Sequence, residues 1–170
     1  MEGGVRTRRV LLALTLVTAL CAVWSGWSWY AAAHDGEAAF SRLREHVLRE
    51  GTQAVQDLNT LDYRDLERGL DRWEAATTGE LHRQITAGRA DFARQVTKAG
   101  TVTRARVLDG AVAELDERAG RARLLFAVRM TLAPPGAEPV DKRMRLIADL
   151  TRTSGGWKAD ALSQAPGSAA

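Results

Sequence analysis

The chain has 170 residues, a net charge of +3 and one cysteine, Cys21. Outside the N-terminal segment (residues 1–33, with Arg6, Arg8, Arg9 and Glu2), 21 basic and 20 acidic residues are interleaved, which argues against a nucleic-acid-binding basic domain. A single cysteine excludes a disulfide framework and a zinc or iron–sulfur site, and the residues after position 33 suffice for one domain rather than two.

The N-terminal third is dominated by Val10 to Tyr30, which carries no charged residue and is mostly Leu, Val and Ala. About 20 apolar residues carry an α-helix across a hydrocarbon core roughly 30 Å thick. Arg6, Arg8 and Arg9 precede the run, and Asp35 and Glu37 follow it. Basic flanks stay on the cytoplasmic side, so the expected order is a cytoplasmic tail (1–9), a single-pass anchor (10–33) and an extracytoplasmic domain (34–162) with a flexible tail (163–170). Trp24, Trp27, Trp29 and Tyr30 suit the outer headgroup layer. Ala31-Ala32-Ala33 offers the rival reading of a cleaved signal peptide, but a signal core is shorter, about 7–15 residues. A soluble core helix fits the flanking arginines poorly. Cys21 reads as a small apolar membrane residue, with palmitoylation or cross-linking as the sharper alternatives.

Beyond the anchor, Phe40, Leu43, Val47, Ala54, Val55 and Leu58 have helical spacing, opposite a face with Arg42, Arg44, Glu45, Arg49, Glu50 and Asp57. With no proline and only Gly36 at the join, the anchor is expected to run into this helix as a stalk. A second helix is expected from Asp62, with Leu66, Leu70 and Trp73 in phase. Thr77-Thr78-Gly79-Glu80 reads as a capping box, opening a third helix along Leu81, Ile85, Phe92 and Val96 that stops near Gly100.

From Thr101 the period becomes two. Residues 101–115 form a looser strand with a bulge or bend at Asp109-Gly110. Ala122 to Leu132 and Met144 to Leu150 alternate apolar residues with Arg123, Arg129, Arg143, Arg145 and Asp149, and Trp157 to Leu162 supplies a short last strand. Helices followed by strands predict an α+β fold: an N-terminal transmembrane helix, three helices and a curved four-stranded antiparallel sheet.

This order of parts resembles the Mce-associated (mammalian cell entry) membrane proteins of actinobacteria. The local wording is similar at Leu58-Asn59-Thr60-Leu61-Asp62-Tyr63-Arg64-Asp65, at Ala76-Thr77-Thr78-Gly79-Glu80 and at Gly155-Gly156-Trp157. The resemblance covers nearly the whole chain, and none of these pieces is a catalytic signature. It implies a cone-like domain of the nuclear-transport-factor-two superfamily. It also implies a non-catalytic accessory role beside Mce-type transporter subunits that import lipids or sterols, with no cofactor and no shared catalytic residues. The Arg-rich strands are a mild departure from the family pattern.

Pocketed relatives in that superfamily use Asp/His or Asp/Tyr pairs, and the candidates here are thin. His34 sits at the membrane exit, His46 on the first ectodomain helix, and His82 off the apolar stripe of the third, so surface positions are expected for them. No two histidines stand at metal-ligand spacing. Asp149 is expected to pair on the wet strand face with Arg129, Arg143 or Arg145, and Tyr63 to pack at a helix start. No phosphate loop or nucleophile elbow occurs. Should the sheet leave a cavity, Phe92, Phe126 and Trp157 are its expected lining, which would make the domain a binder or modifier of a small apolar ligand. The arginines Arg123, Arg129, Arg143 and Arg145, with Lys142, are expected to form a basic outer face. Of these, Arg129, Arg143 and Arg145 are the candidates for docking a partner or anionic headgroups. Membrane lipids are otherwise contacted through the anchor.

Overall fold

The computed structural model describes residues 3–166; within the first helix, side chains are described at 18, 20–25, 27 and from 37 onward. Most of the expected anchor, the Ala31–Ala33 segment and His34 therefore lie outside the described side chains. Among the described residues no helix is long and apolar enough to cross a membrane.

The chain divides into two compact units, Met1–Leu43 and Arg44–Ala170. Helix α1 (Gly3–Leu58) contributes to both without an intervening loop. In the first unit, Leu20, Val23, Trp24 and Trp27 are 62–79% exposed, an unusual density of bare apolar surface on one helix.

The second unit begins with the last turns of α1. Val47, Ala54, Val55 and Leu58 recur at helical spacing and are buried, whereas Phe40, expected on the same stripe, belongs to the other unit and is exposed. Gly51 falls within the stripe, and a Cβ there would stand 2.8 Å from Leu124 Cδ2. The absent side chain lets the helix backbone rest on the sheet.

A short strand β1 (Leu61–Asp62) follows. Asp62 does not open an α-helix. Its carboxylate accepts from the Arg64 backbone N–H and caps a 3₁₀ turn, Tyr63–Asp65, so that helix α2 starts at Leu66 and runs to Ala76. Helix α3 (Gly79–Ala99) ends on Gly100, which takes φ +61° and donates to the Val96 carbonyl.

The four long strands are β2 (Val102–Asp116), β3 (Arg121–Ala133), β4 (Val140–Thr153) and β5 (Gly156–Gln164). They form an antiparallel meander in the order β1-β2-β3-β4-β5. The sheet therefore has five strands rather than the expected four. Two residues offer no alternation to read, but Leu61 and Asp62 pair with Thr103 and Val102 along the free edge of β2. Register shifts after Val107 and after Val112 place bulges in β2 at and just beyond the expected bend. Strand β5 extends past Leu162 because Gln164 still pairs with Leu146, and the Ala165 N–H donates to the Arg145 carbonyl at 3.0 Å.

One face of the sheet forms the core, with Ala122, Leu124, Phe126, Val128, Leu146, Ala148, Leu150, Trp157 and Ala159 all buried beneath α1 and α2–α3. The α+β architecture expected from the sequence is present in this unit, as helices packed on one face of a bulged antiparallel sheet.

Candidate functional site

The expected capping box does not form. Thr77 is buried and its hydroxyl donates backward to the Trp73 carbonyl at 2.8 Å, while its backbone bridges to Ala159 of β5. The Thr78 N–H donates to the Ala159 carbonyl at 2.9 Å, and Glu80 turns away to Arg83 and Gln84, which lower its carboxyl's pKa. Pairing with β5 holds 77–78 extended, which overrides the local cap. His82 is drawn in with this turn. It is half-buried rather than on the surface, with Nδ1 3.3 Å from Thr77 Oγ1 and 3.1 Å from the Glu74 carbonyl.

Helix α3 is tied to α2 by a contact the sequence reading missed. Arg89 donates to Glu67 (2.6 Å), Asp71 (2.8 Å) and Glu74 (2.6 Å), and Glu67 is the largest cause of its raised pKa. The i, i+4, i+7 acidic stripe on α2 was the available signal. Although α3 is amphipathic, none of its residues is buried. Its apolar side, with Phe92 and Val96, instead walls a groove of about 250 Å³ with Leu58, Leu61, Trp73 and Met130. Trp73 and Phe92 meet at 5.2 Å between ring centroids, and Trp73 Nε1 donates to the Asp57 carbonyl at 2.7 Å. Asn59 and Thr103 supply polar atoms at the groove wall.

Of the expected pocket lining, only Phe92 reaches this groove. Phe126 is 2% exposed and packs in the core, with its ring 2.7 Å from where a Cβ on Gly110 would lie. Trp157 is buried beside α1, where its N–H donates to Glu50 Oε2 at 2.7 Å. The three aromatics do not share this groove: Phe92 lines it from α3, whereas Phe126 of β3 packs against Gly51 and Gly110 and Trp157 of β5 lies by Glu50.

The opposite sheet face is exposed and charged. Asp149 pairs there with Arg123 at 2.7 Å, not with Arg129, Arg143 or Arg145, because register sets Arg123 directly opposite it. Glu114 adds to the same cluster at 3.8 Å, and the two carboxylates raise the Arg123 pKa, Asp149 most. In that part of the face one cation stands between two carboxylates. At the other end register aligns Arg106 with Arg129 and Arg129 with Arg143, three cations in one row across three strands, with Asp141, bonded to Thr131, and Asp109, opposite Ala127, in the rows on either side. Arg104 and Arg145 occupy adjoining positions on the same face, whereas Lys142 falls in the opposite phase. Among the described residues none of these five arginines has an ion pair. Between the basic row and the Arg123 cluster lies an apolar row, Ala111, Leu125 and Ile147, with Leu125 44% exposed.

No family profile matches the chain, and no curated protein matches it. Solved structures do share its fold. One is an IcmL-like type IV secretion system protein from Legionella pneumophila (TM-score 0.59, 14% identity, 74% of this chain and 94% of that one). Another is the periplasmic domain of DotI (TM-score 0.58, 15% identity, 71% and 94%). A third is CagV, a VirB8 homolog of the type IV secretion system of Helicobacter pylori (TM-score 0.54, 13% identity, 71% and 96%). What these structures share with the chain is the fold, helices packed on an antiparallel sheet.

Proposed function

We propose that the chain is a non-catalytic scaffold domain of the cell envelope, anchored by its N-terminal helix with the N-terminus cytoplasmic, and acting through protein partners in a transport assembly. The observation that carries this reading is the division of labour among polar groups. Those that would do chemistry are engaged in structure: Asp149 with Arg123, His82 with Thr77 and Glu74, and His46 with Glu50 at 3.5 Å. Five arginines without an ion pair among the described residues, Arg104, Arg106, Arg129, Arg143 and Arg145, share one sheet face. Anchoring is supported by the uncharged run Val10–Tyr30 and by the bare Leu20, Val23, Trp24 and Trp27 side chains, which lipid would cover. An extracytoplasmic domain is supported by likeness to the periplasmic domain of DotI.

The resemblance to Mce-associated proteins supports an Mce-type lipid or sterol importer as that assembly. The type IV secretion proteins among the structural neighbours favour a secretion-type assembly as the second reading. The test is co-purification of the C-terminally tagged full chain from native membranes in mild detergent. The expected companions are Mce-type substrate-binding subunits and a permease. Secretion-channel subunits would replace the first reading with the second, and recovery alone, as monomer or homodimer, would remove both.

The α2–α3 groove favours one further role, binding of a small apolar ligand. At about 250 Å³ it is just below the ~300–1,000 Å³ of ligand pockets, so it suits a small molecule or one chain end. With Trp24, Trp27, Trp29 and Trp157 replaced by Phe, titration with cyclohexanol is expected to shift Trp73 emission saturably, and Met130→Trp, which fills the groove, to abolish the shift. A linear response, or one unchanged in Met130→Trp, would remove this role.

A further inference from the structure

The exposed sheet face contains two rows of arginine treated in opposite ways. In one, Arg123 is flanked by Glu114 and Asp149 and is satisfied within the chain. In the other, Arg106, Arg129 and Arg143 stand directly opposite one another with Arg104 and Arg145 alongside, and among the described residues none has an ion pair. Like charges directly opposite across strands are destabilising, so this arrangement weakens the free domain. An external set of anions placed over the row would reverse the sign of that interaction.

Geometry narrows what the anions belong to. Neighbouring strands lie about 4.8 Å apart, so the three arginines are spaced at roughly that step across the sheet. Side chains at i and i+3 or i+4 on a helix are about 5–6 Å apart, a closer match than the nearly 7 Å between same-face residues of an extended strand. Four residues along β3 from Arg129, roughly 13 Å, the row of Ala111, Leu125 and Ile147 is apolar and open. A helix about 10–12 Å across spans that gap. We infer that this face docks an amphipathic helix of a partner protein, lying across β2, β3 and β4, with carboxylates at three- or four-residue intervals over Arg106, Arg129 and Arg143 and an apolar flank on Leu125 and Ile147. Each guanidinium fork donates two parallel N–H bonds to one carboxylate, which sets the helix in register. The Arg123 cluster, one cation between two carboxylates and so net negative, bounds the site on its far side. This deepens the scaffold reading and rests on it.

The test uses Arg143→Lys in the full chain, in its native membranes, with a carbodiimide that couples the lysine amine to a neighbouring carboxylate with loss of water. Lys142, one residue away but in the opposite phase, is the internal control. The expected product is a partner peptide joined at position 143 and not at 142. That peptide should have Asp or Glu at three- or four-residue spacing beside an apolar stripe. Adding Arg106→Glu is expected to cut the yield about tenfold. Arg106→Gln, with an unchanged melting curve, serves where the reversal perturbs folding. The inference is overturned by any of four results: no peptide at position 143, as for lipid phosphates on the row; a peptide without that spacing; a link to a second copy of this chain; or a yield indifferent to Arg106. If companions still co-purify when the link fails, the scaffold reading stands and only the docked helix is lost. Loss of the companions themselves removes both.

Discussion

Leu124→Ala is expected to destabilise the unit from Arg44 onward by about 2–5 kcal/mol, seen as a lower urea midpoint with the full chain in mild detergent. Leu124 is 0% exposed in β3, directly under Gly51 of α1, and its loss leaves a cavity between helix and sheet. Gly51→Ala probes the same contact from above. Its Cβ would stand 2.8 Å from Leu124 Cδ2, 3.1 Å from Leu150 Cδ1 and 3.3 Å from Phe126 Cζ. Overpacking costs about 1–3 kcal/mol, against about 1 kcal/mol gained in helix propensity, so the single variant is expected to lose stability. In the Leu124→Ala background the nearest clash is gone and the propensity gain should emerge. The double variant is therefore expected to be more stable than Leu124→Ala alone. Equal effects of Gly51→Ala in both backgrounds would contradict the helix–sheet contact.

Gly156→Ala is the second large effect expected. Gly156 opens β5 at φ +101°, where an L side chain is strained, and its Cβ would lie 2.8 Å from Glu50 Oε1. The same carboxylate accepts from the Trp157 N–H, so displacing it strands a part-buried donor. Backbone strain alone is worth about 1–3 kcal/mol. The expected readout is a lower melting temperature with a red shift of Trp157 emission, isolated in a background where Trp24, Trp27, Trp29 and Trp73 are Phe. Gly155→Ala, whose nearest neighbour is Lys158 Cε at 3.7 Å, is the control and should change little. A neutral Gly156→Ala would mean that Glu50 does not hold β5 against α1.

The candidate site was only partly legible before the fold was known. Period two in 122–132 and 144–150 placed Arg129, Arg143 and Arg145 on the wet face, since side chains alternate strictly along a strand. Nothing local could reveal that Arg106 joins them, because β2 is loosely patterned and its pairing with β3 is shifted at two bulges. The partner of Asp149 was misjudged for the same reason: which arginine lies opposite is a matter of register, not spacing. Thr77-Thr78-Gly79-Glu80 had the pattern of a capping box, yet the backbone of 77–78 found its partner in Ala159, more than eighty residues away.

What the sequence determined by itself was whatever depends on short-range periodicity: an uncharged apolar run at the N-terminus, three helical segments, four long strands, and the face each strand turns to water. Apolar burial and backbone pairing enforce these along a few consecutive residues. The tertiary structure alone decided which residues meet. It added β1 to the sheet edge, separated Phe92 from Phe126 and Trp157, clamped Arg89 onto α2, and aligned three arginines in a row. Those outcomes turn on register, bulge position and the approach of a glycine backbone to a leucine. Each is set by packing between segments far apart in the chain, for which no local pattern is a proxy.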